Sequence, residues 1–146
     1  AELLALTRGL CRRYVMHPPP SGEPEFLRLV RQWRGEHGER FLLENLIDRS
    51  FEALAAEMPD LPQCLDTEHL LLSGGEIDDF LRRHGERVRE IHLHGVQDGV
   101  DHRPFLGTEP WFQRLRPFLR RFTGVVNLEV FSRPELDLCL RALAGG

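Results

Sequence analysis

Five short apolar runs, each set off from the next by a helical stretch, constrain this chain more than any other feature. The runs are Tyr14–His17, Arg40–Leu46, Gln63–Asp66, Val88–His94 and Gly124–Val130. The stretches at 1–13, 23–37, 51–58, 76–84, 110–122 and 134–143 read as helices, with apolar residues near a 3.6-residue period. In the first, Leu3, Leu4, Leu6, Leu10 and Cys11 form the apolar face; in the fifth, Trp111, Phe112, Leu115, Phe118 and Leu119 do. Strands alternating with helices at roughly 25–35 residues per unit require right-handed crossovers, so the sheet is expected to be parallel. The fold class is α/β, with five strand–helix units. They form either an open sheet or five-eighths of a barrel whose complete form needs at least ~200 residues.

Local signals set the boundaries. Asp48 or Ser50 can cap the helix at 51–58, which Pro59 and Pro62 terminate. Pro110 suits a first turn, whereas Pro117 falls inside its helix and predicts a kink. Thr67-Glu68-His69 up to Gly74-Gly75, and the residues from Gly95 to about Gly107, read as loops. No linker or low-complexity run divides the 146 residues, so a single domain is expected.

Chemistry gathers at the strand ends. In Glu90-Ile91-His92-Leu93-His94, alternation turns Ile91 and Leu93 one way and both imidazoles the other. All five runs present a metal-ligating side chain near the carboxyl end: His17, Glu44, Asp66, His92 and Glu129. Leu42 shares a face with Glu44, Cys64 with Asp66, and Asn127 with Glu129, while Leu43, Leu65, Leu93 and Leu128 face the helices. Singly, each such residue reads as readily as a salt bridge or a core histidine. Three unpaired carboxylates on one inner surface would cost several kcal/mol each, and a cation compensates for that. Mixed carboxylate and imidazole donors favour zinc or manganese. His37 and His84 sit beside glycines near helix ends and receive no role; Trp33 and Trp111 read as core.

Composition closes other routes. The net charge of −4 provides no basic footprint for nucleic acid. All nineteen basic residues are arginine, which excludes Schiff-base and P-loop lysine chemistry. Three widely spaced cysteines, Cys11, Cys64 and Cys139, make neither a disulfide framework nor a thiolate zinc site, so a reducing cytoplasm is the expected home. No apolar run approaches the ~20 residues of a membrane span. Arg8, Arg12 and Arg13 stand where a signal peptide would be apolar.

Five motifs, in order and spacing, resemble the xylose isomerase-like TIM barrels, also called the AP endonuclease family 2 superfamily. They are Leu43-Glu44-Asn45, Leu65-Asp66-Thr67-Glu68-His69, Ile91-His92-Leu93-His94, the loop Asp101-His102-Arg103-Pro104-Phe105-Leu106-Gly107, and Leu128-Glu129. The resemblance runs from His17 to Glu129 and implies a divalent metal held by Glu44, Asp66, His92 and Glu129. The endonuclease branch implies further ions, one to three in all, recruiting His17 beside Glu44, and His69 with Asp101. That branch carries D-x-H where this chain has Asp101-His102-Arg103. Either His102 takes the ligand role, or the third ion is absent and Arg103 holds a substrate anion. The five strands match the last five of the family's eight, which implies a C-terminal part of a barrel. The first three strands would lie upstream or come from a second copy. The His92–Val96 run and the Gly99–Arg103 loop look most like the cobamide-remodelling phosphodiesterases.

The expected activity is a metal-dependent phosphodiesterase acting on a small molecule. Glu44, Glu129 and His94 are the catalytic candidates, and Arg103, His102 and Asn45 the substrate-binding ones. A metal-dependent sugar isomerase or epimerase, with Glu44 and Glu129 as acid and base, is the enzymatic alternative. The non-enzymatic alternative is a degenerate partial barrel that binds a small molecule or self-associates through its open edges.

Overall fold

The computed structural model describes residues 2–7, 9–20, 23–47 and 50–145, with only the backbone at residues 2, 3 and 50. Strands β1 (Tyr14–Met16), β2 (Phe41–Glu44), β3 (Gln63–Asp66), β4 (Val88–Leu93) and β7 (Val125–Leu128) pair in that order, all parallel, as a curled half-barrel. A separate antiparallel hairpin joins β5 (Gly95–Gln97) to β6 (Val100–Arg103). The helices are α1 (Glu2–Thr7), α2 (Glu23–His37), α3 (Ser50–Glu57), α4 (Thr67–Leu72), α5 (Ile77–His84), α6 (Pro110–Leu119) and α7 (Arg133–Ala144). No helix among the described residues is long and apolar enough to cross a membrane.

The two faces of the sheet divide as the alternation predicts. Leu43, Leu65, Ile91 and Leu93 are fully buried in one cluster with Phe51, Leu54, Phe80, Phe112 and Leu115 from the helices. Each such side chain contributes about 1.5–3 kcal/mol by leaving water. Val88 joins this cluster as well, although strict alternation from Ile91 would turn it inward. The reason is a register shift in the β3–β4 pairing, where Gln63 pairs with Val88 but Cys64 pairs with Glu90. Arg89 is the extra residue of a bulge, and the bulge resets the phase so that Glu90, His92 and His94 share the inner face. A side chain at Gly124 would collide with the Arg89 carbonyl, so only glycine lets β7 start beside the bulge.

Several boundaries differ from the expectations. The first helix stops at Thr7 rather than 13, because Leu10 and Cys11 N–H groups both turn back onto the Thr7 carbonyl. Leu6 and Leu10 are consequently exposed, not packed. The expected loop after Asp66 begins with helix α4, capped by the Asp66 carboxylate, which accepts the His69 N–H at 2.8 Å. The expected loop after His94 holds the β5–β6 hairpin, turning through Asp98 and Gly99 at φ +55° and +73°. The simple strand–helix alternation is thus interrupted twice. Helix α6 ends at Leu119, two residues after Pro117, instead of reaching 122. His17, His94 and Glu129 each fall just beyond their strands. Asp48 lies outside the described residues, so its capping role does too.

Candidate metal centre

The inner face at the carboxyl ends of the strands brings together a dense set of imidazoles and carboxylates. Register places Asp66 beside His92, and His92 beside Asn127. Four groups of three metal-ligating side chains converge among the described residues: Glu44, Asp66, His69; Asp66, His92, Glu129; Glu44, Cys64, His92; and Glu68, His94, His102.

His92 is the hub of the central set. Its Nδ1 lies 3.6 Å from Glu44 Oε2, 3.4 Å from Glu129 Oε1 and 3.9 Å from Asp66 Oδ2. Tetrahedral ligands with bonds of ~2.0–2.1 Å stand about 3.3 Å apart, so these spacings suit a shared cation. All four residues expected for a central metal therefore meet. Glu44 and Asp66 are buried, and among the described residues their ion-pair partners, and those of buried Glu68, are histidines. Glu44 Oε2 has no hydrogen bond at all. A buried carboxylate oxygen that faces imidazole nitrogens without a hydrogen bond is an atom that a cation fits.

Glu44 also faces a second direction. Its Oε1 lies 3.3 Å from His69 Nδ1, while Oε2 lies 3.2 Å from Nε2 of His17, whose side chain is 64% exposed. His17 and His69 thus both stand beside Glu44, although His69 was expected with Asp101.

Other expected residues are placed differently. Asn45 does not face a substrate: its amide donates to the Asp66 carbonyl at 2.9 Å and accepts the Asp66 N–H at 2.8 Å. Buried and fully engaged, it clamps β2 to β3 and so positions Asp66. His94 cannot touch a substrate phosphate, because it has no exposed surface. It lies between Asp66, 3.0 Å from Nε2, and Glu68, 3.1 Å from Nδ1. Asp101 does not join His69; its side chain is 61% exposed and faces His102 at 3.4 Å. Arg103 turns to Glu135 of α7, at 3.7 Å, rather than to the imidazoles. His102 is brought into the cluster, with Nε2 3.9 Å from Glu129 and Nδ1 3.7 Å from Glu68.

Glu68 and Glu90 belong to the site and were not expected there. Glu90 sits 3.6 Å from His92 Nε2. Its position two residues before His92 is a legible signal once the strand is recognised. Glu68 has no such signal, since an acid in the first turn of a helix is ordinarily a solvated partner of the dipole. Cys64 is buried on this face, and burial first, then Glu44, Glu90 and Asp66, push its thiol far upward. It stays a neutral packing group. A broad depression of about 670 Å³ lies elsewhere, lined by Glu52, Arg83, His84 and Arg87. Its charges satisfy one another: Arg83 and His84 both reach Glu52, and Arg87 donates to the Ala55 and Pro59 carbonyls.

The protonation pattern has a measurable consequence. Burial raises the Glu44 carboxyl, but the contacts with His69 and His92 outweigh it and hold it at about 2. The same contact with Glu44 lifts His69 to about 9, against the burial that opposes it. Burial lowers His92, yet Glu44 and Glu129 together leave it raised. The stability from His69 is complete below its unfolded value of 6.5 and disappears as pH rises through about 9. That from Glu44 is complete above 4.5 and disappears as pH falls through about 2. Both shifts describe one coupled interaction, on the order of 1–2 kcal/mol. The metal-free chain should therefore be most stable between about pH 4.5 and 6.5, as read by urea unfolding in chelator. A profile that stays flat from there to pH 9 would mean that the Glu44–His69 contact does not form. Metal binding should run the other way, strengthening as pH rises, because His69 and His92 must release protons to it.

No protein-family model matches the sequence, and no curated protein matches it significantly.

Proposed function

We propose that this chain is a divalent-metal-dependent hydrolase of the phosphodiesterase type, built on part of a xylose isomerase-like TIM barrel. The observation that carries the reading is the Glu44 carboxylate, which fans one oxygen toward His69 and the other toward His17 and His92. A carboxylate so placed can serve two adjacent cation positions. Glu44, Asp66, His92 and Glu129 would hold the central ion, of the zinc or manganese class, and His17 and His69 would complete a neighbouring set with Glu44. When bound, a divalent ion there lowers the pKa of a water and offsets charge on a phosphoryl oxygen.

The chain's own residues do the rest. Asn45 fixes the backbone of Asp66, and Thr67 donates to the His94 carbonyl at 2.7 Å and the His92 carbonyl at 3.2 Å, tying α4 to β4. Asn127 donates to Glu129 Oε1 at 2.9 Å and orients that carboxylate toward His92. Exposed His17 is the group best placed to meet a substrate from solvent. Within this class, the loop resemblance favours a phosphodiester in the nucleotide loop of a corrinoid.

A second reading, sugar isomerisation, has one observation in its favour: Glu44 and Glu129 flank His92 at similar distances, as an acid–base pair would. The test is hydrolysis of bis(p-nitrophenyl) phosphate by the zinc- or manganese-loaded chain. Activity should appear and fall about 100-fold or more in Glu44→Gln. Metal-dependent aldose–ketose exchange without hydrolysis would replace this reading with the isomerase. Neither activity in a metal-loaded, folded chain would leave a binding module.

A further inference from the structure

We infer that Glu68, His94 and His102 form a separate metal pocket beneath the β5–β6 hairpin that takes a zinc-class divalent ion. Glu68 Oε2 lies 3.1 Å from His94 Nδ1 and 3.7 Å from His102 Nδ1. These spacings bracket the ~3.3 Å edge of a tetrahedral zinc site. Two imidazoles and one carboxylate leave a fourth position open, and the donor set suits zinc or cobalt better than magnesium.

The decisive atom is His94 Nδ1. The ring is wholly buried, and Nδ1 has no hydrogen bond. Its other nitrogen, Nε2, lies 3.0 Å from Asp66 Oδ2, and a carboxylate oxygen can only accept. With Nε2 turned to Asp66, Nδ1 is the ring nitrogen that faces the Glu68 carboxylate, and it is the atom a metal ion in this pocket would bind. A buried imidazole nitrogen that faces a buried carboxylate oxygen without a hydrogen bond marks a place that a cation fits. The Asp66–His94 contact is also the arrangement that fixes the tautomer of a metal-bound imidazole.

The hairpin completes the pocket. His102 has φ +53°, an uncommon conformation for a residue other than glycine, and its N–H donates to Glu68 Oε2 at 3.3 Å. Its ring lies between His94, with centroids 4.7 Å apart, and Phe131, at 4.8 Å and 20°. Phe131, itself 82% exposed, closes the outer side.

This goes beyond the proposed central ion, because none of the three ligands is among Glu44, Asp66, His92 and Glu129. The test titrates the metal-stripped full chain with Co²⁺ alone, following stoichiometry by equilibrium dialysis and coordination by visible absorption. Glu68→Gln and His102→Ala should each bind one ion fewer than the parent, while Glu44→Gln retains this ion. Glu68→Gln keeps an oxygen for the His102 N–H, and His102 is partly exposed, so either variant can fold where the other fails. The inference is overturned if both bind as many ions as the parent, or if either also loses an ion that Glu44→Gln loses. It is also overturned if nitrogen NMR finds both His94 nitrogens protonated in saturating zinc. Loss in Glu44→Gln alone would sink this pocket and spare the central site. Loss in Glu68→Gln alone would do the reverse.

Discussion

Asp66→Ala should remove the central metal and destabilise the fold by about 2–4 kcal/mol in one substitution. The carboxylate has three duties at once. It caps α4 through the His69 N–H, accepts from fully buried His94, and lies within 4 Å of His69 and His92. The cap alone is worth about 1 kcal/mol, and stranding a buried imidazole without its acceptor costs about 1–3 kcal/mol more. Asp66→Asn separates these duties. Asparagine caps as well as aspartate through its one oxygen and turns its amide NH2 to His94 Nε2, which can accept it as the other tautomer with Nδ1–H toward Glu68. It is, however, a poor ligand for a divalent ion. The asparagine variant should therefore unfold near the parental urea midpoint while elemental analysis finds it depleted of metal. Parental metal content in both variants would remove Asp66 from the ligand set. An alanine variant within about 0.5 kcal/mol of the parent would refute the account of the cap.

Phe105→Ala should be the most destabilising core change near the site, at about 3–5 kcal/mol. Phe105 has no exposed surface; it stacks on Phe112 at 4.7 Å and meets the edge of Trp111 at 5.8 Å. It follows the β5–β6 hairpin directly and seats the returning chain on α6. If Phe105 belongs to the common core, the urea midpoint should fall while the slope of the transition stays the same. The competing outcome is local: faster amide exchange confined to 95–103 with an unchanged midpoint would make it only a hairpin clamp. Phe105→Leu should recover most of the loss, since it refills much of the volume.

The strands and their inward residues were legible because alternation is a property of adjacent residues. Glu44, Asp66, His92 and Glu129 could be put on one face from the sequence, and the fold brings all four together. The Asp98-Gly99 hairpin was equally legible, since that dipeptide favours a tight turn with positive φ at both positions. It was masked by the histidines and acids around it, which read as an active-site loop. The α4 helix was hidden for a similar reason, because Asp66 serves both as ligand candidate and as helix cap.

What stayed out of reach depends on distance. Asn45 looks available in sequence and is consumed by the Asp66 backbone, a contact across 21 positions. Arg103 looks like an anion binder and instead pairs with Glu135, because the hairpin rather than local propensity sets its direction. The bulge at Arg89 decides which face of β4 carries Val88, and only the pairing with β3 reveals it. Glu68 reads as a surface acid until the hairpin folds over it. The sequence by itself determined that the strands are parallel and which side chains face inward, because period and crossover length are local constraints. Which carboxylate meets which imidazole was decided only by the tertiary structure, through the curl of the sheet, its register and the hairpin that covers its end.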